Sequence, residues 1–168
     1  MIENSVQGYM ASLEQQLTAD GCATHWEDWS SMAVLVGRRA DFRVRWMATR
    51  VHLFTVAAAM PEITRPDIER FTRRVLTYAK ANKGGLPLGS QTGVIVFPVL
   101  VGERVDPEAV AWAEEKQRGE FACMARPVVV GVARQRVGFY SGNPFFGRVY
   151  ASYVNEKGAR YFLGEGAS

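Results

Sequence analysis

Three apolar runs constrain this chain more than any other feature: residues 51–59, 93–101 and 127–133. Each is far shorter than the roughly 18–20 apolar residues that cross a bilayer, so no membrane partner is expected. Short apolar runs bounded by turn residues read as strands, and residues 51–59 read as an interior one. With 168 residues, 48% of them hydrophobic, the chain has the core of one domain. Residues 1–163 are expected to form a single α+β domain, with 164–168 a frayed tail.

Helical spacing brackets the strands. Val6, Tyr9, Met10, Leu13 and Leu17 line one side of a helix that Asn4 or Ser5 caps and Gly21 ends. Thr64, Pro66 and Asp67 open a second helix over 65–82 with a capping-box pattern, and Gly84-Gly85 stops it. Asp106-Pro107-Glu108 starts a third, expected to run over 106–118 with Gly119 at its end. Ser141-Gly142-Asn143-Pro144 breaks the chain before a fourth, which Gly158 is expected to interrupt.

Between the first two helices the spacing predicts an antiparallel meander. Residues 32–36 form a short strand, 37–41 a turn, and Phe42, Val44 and Trp46 alternate with Arg43, Arg45 and Met47 on a second strand. Phe42 and Trp46 then face away from the arginines. Pro98 donates no backbone hydrogen bond, which places the strand at 93–101 on an edge or at a bulge. The strand–helix–strand order through 127–133 predicts a parallel crossover, and residues 135–140 pair antiparallel with the preceding strand. The expected fold is a mixed, mainly antiparallel sheet flanked by four helices, in the order α-βββ-α-β-α-ββ-α.

Charge excludes some functions and leaves others open. Lys+Arg exceeds Asp+Glu by 20 to 17, short of the footprint of a dedicated nucleic-acid binder. Sixteen arginines against four lysines, beside twenty valines and four isoleucines, fit the codon supply of a GC-rich bacterial genome. Residues 1–30 hold five acids and no base, whereas residues 31–83 hold eleven bases and four acids. Such segments are expected to lie against each other within the fold or across a dimer.

No catalytic constellation emerges. Cys22 and Cys123 form no CxxC, and His25 and His52 have no ligand spacing, so neither metal nor cofactor is expected. Cys123 lies in an apolar context typical of a buried, inert thiol. Cys22-Ala23-Thr24-His25-Trp26-Glu27-Asp28 reads as a helix-to-strand connector rather than a Cys–His site. The glycine-rich stretch 84–93, with Gly89 and Ser90, runs from helix to strand, the wrong polarity for a phosphate loop. It remains a connection or a lid. Glu114 and Glu115 diverge around their helix and read as a solvated face.

The element order through residue 101 resembles the core of restriction-type nucleases, which hold a metal with an acid and an acid-x-Lys on adjacent strands. Here the strand reads Asp41-Phe42-Arg43-Val44-Arg45-Trp46, so an active nuclease of that type is not expected. The full order also looks like that of secretion-chaperone-like domains, which implies a dimer binding partner segments across a sheet face. Both likenesses concern topology alone.

Four Trp, six Tyr and nine Phe without a catalytic set point to a protein-binding module. The expected partner is another protein or a second copy of this chain, in the cytoplasm, since residues 1–5 carry no signal-peptide n-region. Trp26 and Trp29, with Phe139, Tyr140, Phe145 and Phe146, are the expected exposed anchors. Arg43 and Arg45, with Arg38, Arg39, Arg70, Arg73 and Arg74, form the alternative surface, one that reads nucleic acid. A hydrolase using the 84–93 loop as a lid is the enzymatic alternative.

Overall fold

The computed structural model describes residues 5–43, 46, 49–85, 87–88, 92–115, 118–120, 122–142 and 150–163. In chain order the elements are α1 (Val6–Ala19), β1 (Ala23–Asp28), β2 (Ala33–Arg43), β3 (Thr49–Ala59), β4 (Glu62–Ile63), α2 (Arg65–Asn82) and β5 (Thr92–Gly102). They continue with β6 (Arg104–Val105), α3 (Pro107–Glu115), β7 (Arg118–Glu120), β8 (Cys123–Ala125), β9 (Val128–Gly131), β10 (Arg136–Gly138) and α4 (Ala151–Phe162). No helix among the described residues is long and apolar enough to cross a membrane.

Among the described residues, eight strands form one mixed sheet. β1, β2 and β3 are an antiparallel meander, and β5 lies parallel beside β3. The far edge of β5 is shared by β8 and β9, both parallel to it, with β7 and β10 antiparallel outside them. The chain therefore makes two parallel crossovers, β3–α2–β5 and β5–α3–β8, in the same direction across the sheet. A shared crossover hand requires both helices to lie on one face. Ile68, Phe71, Val75, Ala109, Val110 and Ala113 indeed pack on Val34, Val36, Phe54, Val56, Val94, Val96 and Val129. The strand residues of opposite parity, among them Leu35, Leu53, Phe97, Val99 and Val128, pack on Leu13 and Leu17 of α1 and on Tyr153, Val154 and Phe162 of α4. Each strand face is thus covered by a helical layer, which accounts for the unbroken apolar runs.

Helix termini follow the local chemistry. Ser5 Oγ accepts from the Gly8 amide at 2.9 Å, and Gly21 ends α1 at φ +83°. Thr64 and Asp67 complete the capping box of α2, the Asp67 carboxylate accepting from the Thr64 amide at 2.9 Å.

Several expectations fail, each for an identifiable reason. Residues 23–28 are a strand, not a connector. Residues 37–41 are not a turn but the middle of the eleven-residue β2. Gly37 is there because a Cβ would stand 2.8 Å from Leu17 Cδ1. With β2 continuous, the faces at 42–43 are the reverse of those expected: Phe42 is 53% exposed, while Arg43 turns toward α4 and stacks on Trp46, which was expected to face away from it. Pro98 lies in an interior strand. The registers Val96↔Ala125 and Val99↔Val128 place it opposite Pro127, in the break between β8 and β9, where no ladder bond is needed. α3 stops at Glu115, and Arg118–Glu120 is a strand rather than the helix's last turn. α4 runs unbroken through Gly158, where a Cβ would meet the Phe139 ring at 3.2 Å.

Candidate binding groove

The groove begins with the tight β1–β2 turn. Ser30 and Ser31 both adopt positive φ, 58° and 70°, the combination that a two-residue type I′ hairpin requires. Trp29 and Met32 exchange backbone hydrogen bonds of 2.8 and 3.4 Å across it, and Asp28 Oδ1 accepts from the Ser31 amide at 2.7 Å. This closure turns the Trp29 ring onto α2, 6.1 Å from Phe71 and 5.1 Å from Tyr78.

On α2, Arg73, Arg74, Thr77 and Tyr78 fall within two turns on the side facing that turn. With Trp29 they line an open depression of about 500 Å³. The Arg74 guanidinium lies 4.8 Å from the Trp29 ring centroid, a cation–π contact. No carboxylate pairs with Arg73 or Arg74 among the described residues. One acid does stand at the rim. Glu27 accepts from Trp29 Nε1 at 3.2 Å and from the Tyr78 hydroxyl, and lies 2.6 Å from His25 Nε2. Burial pushes the Glu27 pKa up, but these three hydrogen bonds outweigh it and hold the carboxyl below its usual range. Burial and the same carboxylate push Tyr78 up to about 12.

The expected anchors divide. Trp26 is 48% exposed, with its indole N–H bonded to Glu14. Trp29, at 8%, is instead the floor of the groove, because the type I′ turn folds it back onto α2. Phe139 is half-buried against Phe162, and Tyr140 stacks with the buried Arg126. Arg45, Phe145, Phe146, Gly89 and Ser90 lie outside the described residues.

The described arginines do not form one surface. Arg38 lies over Phe54 on the α2 side at 4.8 Å, whereas Arg39 faces α1. Arg43 stacks on Trp46 and Tyr153, at 4.9 and 5.3 Å. Arg70 pairs with Asp67. Adjacent strand residues point to opposite faces, which disperses a run that looks contiguous in the sequence.

A buried polar cluster, invisible in the sequence, ties α1, β2 and α4 together. Asp20 receives Lys157 at 2.8 Å, Arg39 at 2.9 Å, Arg160 at 2.9 Å and the Tyr161 hydroxyl. Arg39 also clamps Asp41 through two bonds of 2.8 Å, and Tyr153 donates to the same carboxylate. Burial raises the pKa of both acids; the hydrogen bonds and cations outweigh it, leaving both below the usual carboxylate range. Asp41 is thereby brought near a second acid, but each carboxylate is already engaged by cations and a tyrosine.

Cys22 and His25 are not brought together as a dyad. Cys22 is buried 3.5 Å from the Tyr161 hydroxyl and its pKa is raised, chiefly by burial, the opposite of thiolate activation. No group of three or more His, Cys, Asp or Glu side chains could hold a metal among the described residues.

Family models and curated proteins give no match to this chain.

Proposed function

We propose that this domain is a non-enzymatic protein-binding module whose α2 groove holds an acidic segment of a partner protein. The observation that carries this reading is the pair Arg73 and Arg74, exposed and without acidic partners among the described residues, beside the ring of Trp29. An arginine laid on an aromatic face is pre-organised for bidentate carboxylate recognition, and the ring supplies apolar contact to the same ligand. The open shape suits side chains of an extended segment better than an enclosed small molecule. Dispersal of the other arginines over two sheet faces weighs against a nucleic-acid track. Engagement of Asp20 and Asp41 by cations weighs against acid–base chemistry at that cluster.

Fluorescence anisotropy with a short labelled peptide of Asp and Glu carrying one Phe tests the proposal. Binding should weaken by roughly tenfold or more when Arg73 and Arg74 are both changed to Glu. Peptide binding indifferent to that change would refute it, and tighter binding of an oligothymidylate would favour the nucleic-acid reading.

A further inference from the structure

We propose that β1 is a dimerisation strand, through which two copies of this chain join antiparallel about a two-fold axis at Trp26. β1 ends the sheet, pairing with β2 along one side only among the described residues. Trp29 and Met32 form a hydrogen-bonded pair. The alternation of an antiparallel ladder then aims the backbone of Glu27, His25 and Ala23 at β2. Thr24, Trp26 and Asp28 must present their N–H and C=O groups to the open edge.

Proteins usually blunt such an edge with lysine, proline, a bulge or a very short strand. β1 has none of these, and its only charged residues are the acids Glu27 and Asp28: it is six residues long in continuous register, without Lys or Pro. At the opposite side of the sheet, β7 and β10 are three residues each.

The edge is self-complementary in one register. With Trp26 opposite Trp26 of the second copy, Thr24 faces Asp28, and all three outward-facing residues form hydrogen-bonded pairs. His25 then falls opposite Glu27 of the second copy in a non-hydrogen-bonded pair, where side chains approach most closely. His25 is exposed and lies 2.6 Å from Glu27 of its own chain, so in the dimer the second copy's Glu27 joins a pair that each chain already makes, while Tyr78 and Trp29 keep Glu27 in place. The neighbouring symmetric register, slipped by two residues so that the axis falls at residue 25, sets His25 against its own copy and removes this match. The two tryptophans would lie together on the α1 side, where each indole is oriented by Glu14. The proposal does not use Arg73 and Arg74, which lie on α2, although Glu27 at the groove's rim belongs to both sites.

Sedimentation equilibrium on the full chain gives the test. The wild-type chain should be a dimer. Thr24→Pro removes an outward N–H and the exposed 3.5 Å hydroxyl contact with Thr18, neither of which joins β1 to β2, so it should raise the dissociation constant by roughly tenfold or more with the circular dichroism unchanged. Register is read independently by oxidation: Trp26→Cys should yield a disulfide-linked dimer and His25→Cys should not. A monomeric wild-type chain, a dimer that survives Thr24→Pro with native dichroism, or cross-linking through position 25 instead of 26 would each overturn the proposal.

Discussion

Lys157 on α4 and Asp20 at the end of α1 meet 2.8 Å apart with both side chains buried, though 137 residues separate them in the chain. A buried ion pair is not by itself a large source of stability, but removing one member strands the other charge in a low-dielectric setting. Asp20 is the hub, with Arg39, Arg160 and Tyr161 also bound to it. Asp20→Ala should therefore cost about 3–5 kcal/mol in urea unfolding. Lys157→Met should cost clearly less, because Asp20 keeps its other partners. Equal stability of Asp20→Ala and the parent would show that the cluster holds nothing together.

Acidification should destabilise the fold in two stages. His52 is buried, and that burial, followed by Arg38, Lys83 and Arg50, lowers its pKa. The unfolded chain therefore takes up a proton that the folded one resists. Stability present above about pH 6.5 is lost as the pH falls toward the depressed folded value. Asp20 and Asp41 act later: their pKa values are lowered in the fold, so stability present above about pH 4 is lost as the pH falls through the folded values. Melting temperatures between pH 8 and pH 5 should decline in the parent and flatten in His52→Gln. An undiminished decline in that variant would assign the first stage to another group.

Two glycines on buried strands should respond differently to alanine. A Cβ at Gly102 would stand 2.5 Å from the Met60 carbonyl oxygen, and backbone cannot yield cheaply. Gly102→Ala should cost about 2–4 kcal/mol through overpacking and backbone strain. At Gly37 the nearest atom is the Leu17 side-chain tip at 2.8 Å, which can rotate, so Gly37→Ala should cost about 1–2 kcal/mol. Denaturant midpoints for the pair give the order directly, and a reversed order would contradict the packing described.

What the sequence revealed and concealed follows from the range of the forces. The cap of α2, the end of α1 at Gly21 and the three apolar runs depend on neighbours a few residues away, and all were legible. β1 has no sequence signature as a strand because an exposed edge strand carries no apolar alternation: Ala23, His25, Trp26 and Asp28 are all exposed. Gly37 and Pro98 misled for a common reason. Each satisfies a tertiary constraint, Leu17 in one case and the β8–β9 break in the other, that mimics turn or edge chemistry locally. Of the groove, Trp29 and the arginines stand out separately in the sequence, and the Ser30–Ser31 turn brings Trp29 onto Arg74. The Asp20 cluster joins three distant segments and left no local signature.

The indole N–H of Trp29 reports directly on occupancy of the groove. In two-dimensional ¹⁵N–¹H spectra of the full chain titrated with the acidic peptide, the Trp29 indole signal and the Arg73 and Arg74 side-chain signals should shift together and saturate. Shifts confined to other surfaces, or spectra unchanged at saturating peptide, would contradict the assignment of this groove as the binding site.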